Sequence, residues 1–212
     1  MPDLPISSLP ELTAITSNAE FVVEEAGTTY KVKNNVLTPF PPAYGLFAQT
    51  GDSLTVSATT VETTIIGPGK GALIVPANTF QIGDSFQLSM DGLITCIGTA
   101  TIHVHARTTG GVLLADTGVI ALDAATSKSW LINLYFTIRQ IGGTTVASIS
   151  SGGLFSYIKN SGINYEGYVL SYINNVDFDT TILNTLDITV TWNTNNTGNR
   201  IFSRNFTLTK IV

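Results

Sequence analysis

The chain has 212 residues, 43% hydrophobic and only 12% charged, with a formal net charge of −5 and one cysteine. That length can bury a sizeable core and fits one domain or a domain with a stem, while Thr, Ser and Asn supply the polarity and β-branched residues are abundant, which argues against disorder and against a helical scaffold. The ten Lys and Arg are scattered singly, which argues against nucleic acid as a partner; no run approaches 18 apolar residues, so membrane insertion is not expected.

The opening, Met1-Pro2-Asp3-Leu4-Pro5, is acidic and broken by proline where a signal peptide would be basic and then apolar, so export by that route is not expected. Six of the eight prolines, at positions 2, 5, 10, 39, 41 and 42, fall in the first 45 residues. They bracket a strand, a turn and a strand: Phe21-Val22-Val23, then Glu24 to Thr28, then Thr29-Tyr30-Lys31-Val32-Lys33. A lone hairpin of this size is marginal in water and needs a partner, either the body or sister copies. The segment Pro39-Phe40-Pro41-Pro42 is stiffened into an extended spacer. The domain boundary is placed there, giving an attachment or stem segment over 1–45 and a head over 46–212.

From residue 53 onward, β-type runs alternate with turn signals. The run 54–66 is rich in Thr and Val, Gly67 to Gly71 turns the chain, and 72–75 begins again. Residues 85–90 alternate apolar with polar, Asp91-Gly92 signals a hairpin, and 93–97 returns. Runs at 101–107, 112–114, 119–122 and 130–141 follow; only 123–128 invites a short helical turn. Gly142-Gly143 and Gly152-Gly153 separate runs at 145–150 and 154–158, and the chain closes with 186–192 and 201–211. Ten to twelve short runs with one wet face each predict an all-β fold, an antiparallel two-sheet β-sandwich that is jelly-roll-like. In the run 130–138, Trp130, Ile132, Leu134, Phe136 and Ile138 form the core side. The opposite side still carries Leu131 and Tyr135, which predicts either cover by another subunit or ordinary exposure.

Few residues carry chemistry. Gly51-Asp52-Ser53-Leu54 spells an esterase-like signature, but such a serine needs a downstream histidine and none follows His105, so the tetrapeptide reads as a turn entering a strand. The Gly67 to Gly71 turn lacks the Ser or Thr and the helix of a phosphate loop. No catalytic residue and no cofactor is expected. Cys96 reads as a buried thiol. His103 and His105, spaced i, i+2 on a strand, project to one face with Arg107. They are the candidates for a metal, but no third ligand is visible beside them, so no metal site is assigned. Asp177 and Asp179 lack the glycine turn and acidic run of a calcium loop. The most suggestive set is Tyr157, Tyr165, Tyr168 and Tyr172, interspersed with Asn160, Asn164, Asn174 and Asn175. Rings that stack on sugar C–H groups and amides that bond hydroxyls suit a carbohydrate surface; interface or core packing would use the same tyrosines. The candidate ligand-contact residues are Tyr157, Tyr165, Tyr168, Tyr172 and Asn164.

Leu9-Pro10-Glu11-Leu12-Thr13-Ala14, followed by Phe21-Val22-Val23-Glu24-Glu25-Ala26-Gly27-Thr28-Thr29-Tyr30-Lys31-Val32, resembles the short N-terminal module of bacteriophage tail-fibre and other virion appendage proteins. Gly83-Asp84-Ser85-Phe86-Gln87-Leu88, the stretch 110–118 and Leu186-Asp187-Ile188-Thr189-Val190-Thr191-Trp192 resemble the β-sandwich heads of virus and phage structural proteins, similar in architecture to tumour-necrosis-factor-like and complement-like jelly rolls. The resemblance implies a homotrimeric spike or fibre on the virion, anchored to capsid or tail proteins through its N-terminal segment, with its head displayed toward a host surface glycan or receptor. It carries over no catalytic residue. The alternative is a carbohydrate-binding β-sandwich module that works alone.

Overall fold

The structure, a computed structural model, describes residues 20–25, 28–33 and 44–211. The chain forms two compact units, Met1–Pro42 and Ala43–Val212. In the first, β1 (Glu20–Glu25) and β2 (Thr28–Lys33) pair antiparallel from Glu20 with Lys33 to Glu25 with Thr28. The 9–14 opening, the turn residues 26–27 and the 39–42 spacer lie outside the described residues.

In the second unit every pairing is antiparallel, and no helix occurs among the described residues. Five short strands come first: β3 (Tyr44–Gln49), β4 (Val56–Ser57), β5 (Thr63–Thr64), β6 (Gly69–Gly71) and β7 (Ile74–Val75). Eight long ones follow: β8 (Ser85–Cys96), β9 (Thr101–Thr108), β10 (Leu113–Ala121), β11 (Ala125–Gln140), β12 (Ser148–Ile158), β13 (Tyr165–Asn174), β14 (Asn184–Trp192) and β15 (Arg200–Lys210). Hydrogen bonds run through a single curled sheet in the order β5-β14-β9-β10-β13-β12-β11-β8-β15-β3-β6, with β4 on β15 and β7 on β14.

The curl has a seam. β10 and β13 share one registered pair, Asp116 with Ser171, and side chains complete the join. Ser151 Oγ donates to Leu114 O and accepts from Tyr172 N, and Asn174 Nδ2 donates to Leu113 O. The concave side is the core, because strand alternation sends every second residue there. Trp130, Ile132, Leu134, Phe136 and Ile138 are all buried, as their spacing predicts, and meet Leu88, Met90, Ile188, Trp192, Ile201 and Phe206. Trp130, Phe155, Tyr157 and Tyr168 form a ladder of rings with successive centroids 6.1, 6.5 and 6.2 Å apart.

Several turn signals are overruled. Asp91-Gly92 sits inside β8, where Gly92 pairs with Trp130 and Ser203. A Cβ at Gly92 would lie 2.0 Å from Phe202 O, the carbonyl that also accepts the Trp130 indole N–H at 3.2 Å. Gly92 is therefore there for close backbone approach, not for a bend. Gly152-Gly153 likewise lies inside β12, opposite Tyr135 and Leu134. The runs at 112–114 and 119–122 are one strand, β10, bulged between Asp116 and Val119 with Gly118 at φ 64°. The 123–128 stretch opens β11 through a bulge instead of a helical turn. Residues 54–66 form only β4 and β5 between loops, whereas β13 arises where no strand is expected.

Candidate functional site

A dense polar cluster lies on the convex side of β9. Ile102, Val104 and Ala106 point into the core, so His103, His105 and Arg107 point out, side by side with ring centroids of the two histidines 3.9 Å apart. The neighbouring strands bring the rest into register. β14 sets Thr189 opposite His105, and β10 sets Asp116 opposite His105 from the other side. The β10 bulge re-aims Asp116, whose Oδ1 accepts from Gly118 N at 2.6 Å and lies 2.5 Å from His103 Nε2. Glu62 reaches over from the loop before β5. Its Oε1 accepts from His105 Nδ1 at 2.9 Å and from the Thr189 hydroxyl, and its Oε2 pairs with Arg107 Nη1 at 2.7 Å.

These contacts shift the ionisation of Glu62, Asp116 and His105. Burial alone would raise the Glu62 carboxyl, but the hydrogen bonds from Thr189 and His105 and the charge of Arg107 hold it below its ordinary value. Burial likewise works against ionised Asp116, and the Gly118 N–H with the two imidazoles brings it down. Burial, then the neighbouring His103, push His105 below its ordinary value in spite of the carboxylates on either side of it. Sequence reasoning finds the His103/His105 pair but not its partners. Asp116 and Glu62 lie 13 and 43 residues away and arrive only through strand pairing. Arg107, which looks in the sequence as if it opposes a cation, is occupied by Glu62.

The structure does not gather the tyrosine and asparagine set into one surface. Tyr157 is fully buried, its hydroxyl accepting from Asp123 N at 2.8 Å, and burial raises its pKa. Tyr168 stacks on it from β13. Alternation along β13 puts Tyr165 on the side opposite Tyr168 and Tyr172. Asn164 is exposed in the loop just before Tyr165. Asn174 is buried and structural: its Oδ1 accepts from the N–H groups of Val176, Asp177 and Phe178. Asn160 ties the start of β11 through Thr126. What the convex side of β11, β12 and β13 does present is a set of exposed apolar side chains among Asn133, Gly152, Gly167 and Ser171. Leu154 sits between Asn133 and Val169 in register, with Tyr135, Tyr165 and Ile173 around them, and Val169 is 65% exposed.

The remaining motifs are structural. Ser53 is buried, its Oγ donating to Leu54 O and accepting from Ser203 N. Gly69 to Gly71 form β6 against β3. Cys96 is buried and donates to Asp123 O. Asp179 accepts from Thr181, which holds its carboxyl below its ordinary value. An apolar cavity of about 270 Å³ opens between Leu73, Phe80, Phe86, Phe136 and Phe178, with the Asp84–Lys210 ion pair (2.6 Å) along its wall. No protein-family model and no curated protein matches the chain.

Proposed function

We propose that the protein is a non-enzymatic structural protein of a virion surface, a homotrimeric spike or fibre whose β-rich head is displayed and whose N-terminal segment attaches it to capsid or tail proteins. In this reading the curled sheet serves as a two-layered, jelly-roll-like head. The observation that carries the proposal is the convex face of β11–β13: Leu154, Tyr165, Val169 and Ile173 are each about half exposed or more, with Leu154 and Val169 paired in register and Tyr165 and Ile173 flanking Val169 on the same side of β13. Exposed apolar side chains grouped on one face offer a surface that a symmetric copy can cover. The seam at Asp116 with Ser171 supports two layers, since the ladder there narrows to one pair. Light scattering coupled to size exclusion on the full chain tests the proposal. A mass near three chains is expected; a monomer at micromolar concentration overturns it.

The carbohydrate-binding reading draws support from one pair, exposed Tyr165 beside exposed Asn164. A glycan array separates the two: binding that vanishes in Tyr165→Ala while the chain remains monomeric favours the stand-alone module.

A further inference from the structure

We propose that His103, His105 and Asp116 form a binding site for one divalent transition-metal ion of the zinc, cobalt and nickel group. One donor atom from each lies within 4.8 Å of the other two, spanning β9 and β10. The argument turns on where His105 spends its hydrogen. Its Nδ1 lies 2.9 Å from Glu62 Oε1, and a carboxylate only accepts, so Nδ1 is the donor and Nε2 is the nitrogen left to ligate. What Nε2 faces, 3.8 Å away, is the Asp116 carboxylate, a second pure acceptor. A cation between them converts both into ligands, and His103, already on Asp116 Oδ1 through Nε2, supplies the third once its ring carries its hydrogen on Nδ1 instead.

The surroundings have the form that metal-binding histidines use. Glu62 fixes the orientation of His105 through the nitrogen that does not ligate, and is itself held by Thr189 and Arg107. The β10 bulge aims Asp116 over both rings, and Gly118 N steadies its carboxylate. Two carboxylates, Glu62 and Asp116, stand against one guanidinium in the cluster, a balance that suits a dication. Two nitrogens and one oxygen select borderline metals over calcium or magnesium, which take all-oxygen sets. The His103 and Asp116 side chains are 28% and 29% exposed, so an ion can enter from solvent and water can complete the coordination.

The test is calorimetric titration of the chelator-treated full chain with zinc alone, repeated for Asp116→Asn, His105→Gln and, as a control at a distant carboxylate, Asp91→Asn. One zinc per chain is expected, with an unfolding midpoint raised by roughly 5 °C at about a hundredfold excess over the dissociation constant. Affinity should drop at least about tenfold in Asp116→Asn and His105→Gln and remain unchanged in Asp91→Asn. Should either site variant fail to fold, cobalt added to the unaltered chain decides the question. Intense visible absorption of low-coordinate cobalt, with loss of the free imidazole nitrogen resonances of His103 and His105, supports the site. Absence of zinc binding at 100-fold excess over protein, undiminished binding in the folded site variants, or a weak octahedral cobalt spectrum with unchanged imidazole resonances overturns it.

Discussion

Gly152 and Gly153 are neighbours in β12 with opposite surroundings. A Cβ on Gly153 would lie 2.1 Å from Asn133 O, whereas a Cβ on Gly152 meets nothing within 4 Å. Gly153→Ala is therefore expected to cost about 1–3 kcal/mol by forcing β11 and β12 apart, and Gly152→Ala to change stability by no more than about 0.5 kcal/mol. Urea unfolding of both variants checks the contrast, with an unchanged m-value showing that the same surface is exposed. From the sequence these two residues read as a turn, because glycine pairs usually supply φ > 0. Nothing in the pair itself announces that a carbonyl of the preceding strand, Asn133 O on β11, needs the space. The alternation from Trp130 to Ile138 was legible because each residue reports its own side of the strand; a glycine reports only what stands opposite it.

At the scale of elements, the join between β10 and β13 depends on Asn174, whose amide satisfies Leu113 O on one strand and three consecutive N–H groups after the other. Asn174→Ala should destabilise the protein by at least about 2 kcal/mol, since it leaves buried groups without partners. Hydrogen exchange should show the loss of protection concentrated at residues 176–178 and in β10. In sequence this residue looked like part of a ligand surface. Its role comes from a seam that no local pattern encodes, just as β13, with Gly167 and Ser171 amid its tyrosines, lacks a clean period of two. The loop carrying Glu62 makes a second such join, onto β9 and β14. His105 has a lower pKa folded than unfolded, so it contributes stability above its unfolded value of about 6.5 that is lost as the pH falls below that. Glu62 and Asp116 are also lowered, so their contribution is present above about pH 4 and lost below it. Stability of the metal-free chain is therefore expected to fall with acidification in two stages, the first below about pH 6.5. In Glu62→Gln the second stage should shrink and the Arg107 contact weaken; thermal unfolding at stepped pH measures both.

For the whole molecule, the all-β class and the wet-and-dry alternation of its strands were readable because composition and periodicity are sums over many residues. The order in which the strands pair was not, since β14 finds β9 and β15 finds β8 only after the chain has passed through the strands between them. The same separation hid Asp116 and Glu62 from the two histidines they complete. Self-association belongs to this scale. Val169→Lys with Leu154→Glu places charge in the middle of the apolar convex rows, and is expected to reduce a three-chain mass to one while circular dichroism stays that of the folded β body; light scattering reads the change.

The ladder ends in β5 at one margin and β6 at the other, two and three residues wide, the latter being Gly-Lys-Gly. Margins so narrow offer an incoming strand almost nothing to zip onto, and a lysine there repels another copy. Crowding many copies of this unit together should therefore not drive amyloid-like growth from these margins, and concentrated solutions should remain free of thioflavin-binding fibrils.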